Sequence, residues 1–74
     1  MIKTEMIDDI LTLIEEIDAI SDKSKETFFE KIDELETNLQ ALNRQITDEL
    51  VEILQEDYSD NWVAKEVIEL VTNS

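Results

Sequence analysis

Apolar positions recur along this chain at the spacing of one helix face. From about residue 3 to 20, Met6, Ile7, Ile10, Leu11, Leu13, Ile14, Ile17 and Ile20 fall within one half of a helical wheel. Glu5, Asp8, Asp9, Glu15 and Glu16 occupy the other half. This is an amphipathic helix. Its apolar arc of roughly 180° is wider than contact with a single helix needs, so at least two neighbours are expected.

Ser21-Asp22-Lys23-Ser24 interrupts the pattern, and Ser21 or Ser24 is expected to cap the next helix. Phe28, Ile32, Leu35, Leu39, Leu42 and Ile46 then follow at intervals of 4, 3, 4, 3 and 4, the signature of a coiled-coil seam. Two partners fit that seam. The first helix can fold back on it as an antiparallel hairpin, given the short connection, or a second copy of the chain can supply a dimer.

The seam then slips: its continuation falls on Glu49, whereas the next apolar residue is Leu50. The slip coincides with a helix-start signal in which Thr47 is the expected N-cap, Asp48 and Glu49 fill the first turn, and Ile46 and Val51 form a hydrophobic staple. A break is therefore expected near residues 43–47, with Asn43 in a left-handed C-cap, in preference to one long helix with a stutter. A third helix over about 48–57 presents Leu50, Val51, Ile53 and Leu54. Asp57-Tyr58-Ser59-Asp60 reads as a turn, with Ser59 as N-cap and a Tyr58–Val63 staple opening a last helix of about 60–72. That helix presents Val63, Ala64, Val67, Ile68, Leu70 and Val71; its β-branched residues lower intrinsic helix propensity, so tertiary contacts have to hold it. The expected fold is all-α: a small bundle of two longer helices in a hairpin and two short C-terminal ones, forming a single acidic helical domain over residues 1–74.

Composition narrows what such a bundle can do. The 74 residues include no Gly, Pro, Cys or His. Without His or Cys the common zinc, copper, haem and iron–sulfur ligand sets cannot be assembled, and the usual general base and strongest nucleophile are missing. Without Gly there is no Walker loop or dinucleotide fingerprint. No cofactor is expected, and the chain is read as a non-enzyme. The N-terminal residues Met1-Ile2-Lys3-Thr4-Glu5 carry no secretory signal, no apolar run is long enough to cross a membrane, and the absence of Cys fits a cytoplasmic chain.

Charge changes the picture most. Asp and Glu number 20 against 6 Lys and Arg, a formal net charge of −14. Residues 1–20 carry a net −5, residues 21–46 a net −2 and residues 47–74 a net −7, so acidity spares the seam. Direct binding of nucleic acid or of an anionic membrane surface is excluded by repulsion. A helix-turn-helix reading of residues 47–74 fails for that reason, since Asp60, Glu66 and Glu69 face only Lys65. Asp57, Ser59 and Asn61 match the first spacings of a calcium loop, but Trp62 and Ile68 stand where Gly and Glu are needed. No metal site is expected.

What remains is recognition of a basic protein. Fourteen net charges on a bundle about 30 Å long approach the linear charge density of duplex DNA. Carboxylates three or four residues apart on a helix lie about 5–6 Å from one another, on the scale of phosphates along a strand. The leading expectation is an inhibitor that occupies a basic, nucleic-acid-binding surface by mimicry. Its acidic face comprises Glu5, Asp8, Asp9, Glu15, Glu16, Asp48, Glu49, Glu52, Glu56, Asp57 and Asp60, with Tyr58 and Trp62 as candidate aromatic anchors. In its acidity the chain is similar to small inhibitors carried by phages and mobile elements, and no motif ties it to a family. The alternative is a structural or antitoxin-like subunit that homo- or hetero-oligomerises through the seam of Phe28, Ile32, Leu35, Leu39, Leu42 and Ile46.

Overall fold

The computed structural model describes the backbone of residues 2–73 and the side chains of residues 5–73. The N-terminal stretch read for a secretory signal lies largely outside the described side chains. Four helices follow in chain order: α1 (Ile2–Ala19), α2 (Glu26–Gln40), α3 (Arg44–Asp57) and α4 (Trp62–Thr72). The described residues are helical with short connections, and none of their helices is long and apolar enough to cross a membrane.

The wide apolar arc of α1 explains its place in the bundle. It packs against α2, α3 and α4, and α3 packs in turn against α4. Ile7, Ile10, Leu13, Ile14 and Ile17 of α1 are buried together with Leu35 of α2, Ile46, Leu50 and Leu54 of α3, and Val63, Ala64 and Val67 of α4. Each fully buried aliphatic side chain is worth roughly 1.5–3 kcal/mol relative to an exposed one, which is what holds the β-branched α4 in a helix. No side-chain nitrogen or oxygen among the described residues is buried without a partner.

The helix ends depart from the sequence reading in consistent ways. Neither Ser21 nor Ser24 caps α2. The Ser24 hydroxyl and amide both donate to the Asp22 carboxylate, and Lys25 stands at the N-cap without a side-chain cap bond. The short Asp22 side chain, two residues upstream, captures Ser24 in a local turn before it can serve the helix. The same two bonds hold the Asp22 carboxyl below its ordinary pKa.

The break between the second and third helices occurs at residues 41–43, earlier than expected. Asn43 is no left-handed C-cap: its φ is −86° and ψ 173°, and it is instead the N-cap of α3, its side chain accepting from the Ile46 amide at 2.9 Å. The end of α2 needs no left-handed residue, because the Ala41 amide reaches the Asn38 carbonyl and the Leu42 amide the Leu39 carbonyl, each at 3.2 Å, in a tightened final turn. Thr47 is likewise no cap. It lies inside the first turns of α3 and donates its hydroxyl to the Asn43 carbonyl at 2.9 Å. With the cap at Asn43, Ile46 and Val51 are not at staple positions, and α3 reaches 14 residues, nearly the length of α2.

The third boundary repeats the lesson. Ser59 does not cap α4; Asn61 does, accepting from the Val63 amide at 2.8 Å and the Ala64 amide at 3.2 Å. The Tyr58–Val63 staple is displaced with it. The seam positions are divided by these boundaries: Phe28, Ile32, Leu35 and Leu39 belong to α2, Leu42 to the connection and Ile46 to α3. Leu35 and Ile46 are buried in the chain's own core, and the other four are partly buried against it.

Candidate functional site: an acidic rim around Tyr58

The densest grouping of predicted site residues lies where the second half of α1 meets the α3–α4 turn. Asp57 ends α3, and the Tyr58 amide closes that helix on the Leu54 carbonyl at 3.1 Å. The Tyr58 carbonyl then accepts from the Asn61 amide at 3.0 Å, which folds residues 58–61 into a tight turn. Asn61 spends its side chain on the α4 cap, leaving Ser59 and Asp60 exposed at the tip. The Tyr58 ring packs against the core as a partly buried side chain, and its hydroxyl donates to Glu15 Oε1 at 3.4 Å.

Glu15, Asp18, Asp57, Tyr58, Ser59, Asp60 and Asn61 line a shallow depression of about 390 Å³. Four carboxylates surround one phenol, and no base lines the depression among the described residues. Tyr58 registers this environment: its hydroxyl is pushed above its ordinary pKa, first by desolvation, then by the Glu15 charge, the Glu15 hydrogen bond and the Asp57 charge. Glu15 and Asp18 are three apart on α1, the separation that places two side chains one above the other on a helix face.

The remaining acidic positions are distributed elsewhere. Glu16 turns to the α2 side, where it pairs with Lys31 Nζ at 2.7 Å and lines a separate depression with Asp9, Glu34 and Asn38. Hydrogen bonding to Glu16 and its charge raise the Lys31 pKa. Asp48 lines a depression with Arg44, Thr47 and Val51, toward the end of the bundle formed by the start of α3 and the end of α4. Glu5 and Asp8 are exposed on α1, Glu52 and Glu56 are exposed on α3, and Glu49 is half-buried.

The two aromatic candidates part company. Trp62 stacks on Phe28 with ring centroids 6.2 Å apart and planes inclined by 25°, and Lys23 Nζ sits 4.1 Å from the Trp62 ring centroid. It therefore meets both an aromatic ring of α2 and a cation of the α1–α2 connection, whereas Tyr58 stands within the acidic rim. Phe29, off the seam as its spacing implied, is 59% exposed and meets Phe28 edge-on at 5.6 Å.

Sequence reasoning left Asp18 out of the acidic face, although its position three residues after Glu15 carried the signal. The role of Lys23 had no sequence signal, because the α1–α2 connection and the start of α4 meet only in three dimensions. Asn61 could have been read as a cap as readily as Ser59, the two residue types being about equal in that role. As for metal binding, Asn61 Oδ1 is committed to two amides, and no cluster of three or more acidic side chains among the described residues is placed to hold an ion. No family model, curated protein or solved structure matches the chain.

Proposed function

We propose that this protein is a non-enzymatic interaction module that binds a basic surface of another protein, in the manner of an inhibitor that occupies a nucleic-acid groove. The observation that carries the reading is the rim of Glu15, Asp18, Asp57 and Asp60 around Tyr58, with no base lining it among the described residues. A half-buried phenol surrounded by carboxylates combines an apolar contact with charge aimed outward, as interface hot spots do. The wider field supports it: 14 net charges along a longest dimension of 34 Å come to about one per 2.4 Å, against about one per 1.7 Å in duplex DNA. Charge of this density steers a basic partner and speeds association at low salt.

The alternative, a structural or antitoxin-like subunit that homo- or hetero-oligomerises through the seam, has less support. All six seam residues are at least half-buried within one chain, so little of the seam is left to drive a dimer.

The test begins with the immobilised protein in host extract at low salt, eluted with a salt gradient, followed by competition of the eluted protein against its own nucleic acid. The expected result is a nucleic-acid-binding protein that the chain displaces, with affinity falling steeply as salt rises. A variant carrying Glu15→Gln, Asp18→Asn, Asp57→Asn and Asp60→Asn is expected to bind about tenfold more weakly or worse, through slower association and faster release together. Removing three carboxylates of α2 that do not line the rim (Glu26, Glu30 and Asp33) is expected to matter much less. Binding that is indifferent to salt, or an absence of competition with nucleic acid, overturns the proposal.

A further inference from the structure

α2 and α4 both lie against α1, yet they do not stay together along their lengths. They meet at their first turns, where Phe28 stacks on Trp62. At their last turns Glu36, Leu39 and Gln40 of α2 stand across from Leu70 and Val71 of α4, with a groove of about 340 Å³ between them. Leu39 and Val71 are partly buried against the core and form the floor. Leu70 projects from the wall and is 52% exposed. Glu36 marks one bank. On the other, Glu66 and Glu69 line the adjoining depression that shares Leu70. Among the described residues, no base lines either hollow.

We propose that this groove is a second docking surface, and that its occupant is a basic amphipathic helix of a partner protein. An apolar floor between two helices takes a further helix by ridges and grooves, at interaxial distances of about 8–10 Å, completing the layer around α1. Carboxylates on both banks select the flanks of that helix: Lys or Arg on either side of an apolar stripe spaced i, i+3 or i+4, and i+7. An extended peptide has no strand edge to join among the described residues. A second copy of this chain fits poorly on charge. A two-fold contact sets a patch against itself, bringing Glu36, Glu66 and Glu69 against the same three carboxylates and one net charge of −14 against another. The surface shares no residue with the rim around Tyr58, so the two proposals stand or fall separately.

The experiment uses the full chain and a small panel of labelled helix-forming peptides, about five turns long, with Leu, Ile or Phe at the anchor positions and Lys or Arg on the flanks. Each is paired with a scrambled peptide of identical composition, and binding is read by fluorescence anisotropy. At least one amphipathic peptide is expected to bind about tenfold more tightly than its scramble. Leu70→Asp, at an exposed position whose helicity is checked by circular dichroism, is expected to weaken that peptide about tenfold, and Leu70→Ala to weaken it less. Glu36→Gln, Glu66→Gln and Glu69→Gln together are expected to lower the affinity and flatten its salt dependence. The variant lacking the carboxylates around Tyr58 is expected to bind the peptide within about twofold of the parent. If scrambled peptides bind equally well and Leu70→Asp changes nothing, attraction is charge alone and the groove proposal fails while the acidic-surface reading stands. If the chain self-associates and Leu70→Asp abolishes it, the occupant is a second copy, and the proposal is likewise overturned.

Discussion

Asn61 offers a sharp test of how this chain ends and restarts its helices. Its side-chain oxygen accepts from the amides of Val63 at 2.8 Å and Ala64 at 3.2 Å. Those amides belong to residues whose side chains are 1% and 0% exposed, so water is poorly placed to replace the lost acceptor. Asn61→Ala therefore removes an N-cap and strands donors near the core. Cap loss costs about 0.5–2 kcal/mol in general, and this setting points to the upper half of that range. For a domain of this size, 1 kcal/mol at the midpoint corresponds to about 4–8 °C, so the melting temperature is expected to fall by roughly 4–15 °C. Ser59→Ala, at the residue that sequence pattern favoured as the cap, is expected to stay within about 0.5 kcal/mol of the parent. Asn61→Asp keeps the acceptor and places negative charge at a helix N-terminus, so it is expected to recover most of the loss. Thermal and urea unfolding followed by circular dichroism measure all three. Equal effects at positions 59 and 61, or a neutral Asn61→Ala, refute the assignment of the cap and with it the start of α4 at Trp62.

Two further outcomes follow from burial and charge. Leu54 is fully buried where α3 meets the core, so Leu54→Ala is expected to cost about 2–5 kcal/mol in urea unfolding, a large part of the whole stability of a small domain, whereas Phe29→Ala, at a 59% exposed ring, is expected to cost less than about 1 kcal/mol. Tyr58 is the one tyrosine, so phenolate absorbance reports it alone; it is expected to titrate above 10.0 in the folded chain, and Glu15→Gln is expected to lower the midpoint part of the way, since desolvation remains. Because the folded value is raised, the associated stability is full below 10.0 and is lost as pH rises through the folded value; a titration at or below 10.0 contradicts the placement of Tyr58 within the rim.

The parts of the fold that sequence disclosed are those set by many residues at once. The arc of eight apolar positions over residues 6–20 called for a helix with at least two neighbours, and α1 touches three. The slip from Ile46 to Leu50 announced a break before the second half of the chain; the chain does break, but at residues 41–43, ahead of Ile46, which shares α3 with Leu50. What sequence misplaced was each N-cap, by one residue from Ser24 at α2, four at α3 and two at α4. Ser24, Thr47 and Ser59 all have the chemistry of a cap, but a hydroxyl is easily captured nearby: Ser24 by Asp22, and Thr47 by the carbonyl of Asn43. The caps of α3 and α4 went instead to asparagines, whose amide oxygen reaches the second and third amides ahead. Period 3.6 averages over a whole helix and survives local error. A cap is one hydrogen bond among several close competitors, and the winner depends on where the core pulls the turn.

The acidic positions divide more finely than a helical wheel shows, for a related reason. A helical wheel assigns Glu15 and Glu16 to one polar half, yet adjacent residues on a helix point about 100° apart. With α1 flanked on several sides, that angle separates two neighbourhoods: Glu15 reaches Tyr58 and the α3–α4 turn, whereas Glu16 is neutralised by Lys31 of α2. Eleven carboxylates that look like one face in sequence thus divide among at least three surroundings, and those around Tyr58 are lined by no base. Net charge sets how strongly any basic protein is drawn toward the chain. Where that protein settles depends on which carboxylates keep their charge uncompensated beside something apolar. By that criterion the α1–turn depression outranks the α1–α2 depression, although the two contain similar numbers of acids. Charge-neutralising variants of Asp9, Glu16 and Glu34 should accordingly slow encounter with a basic partner without releasing it once bound, while those of Glu15, Asp57 and Asp60 should do both.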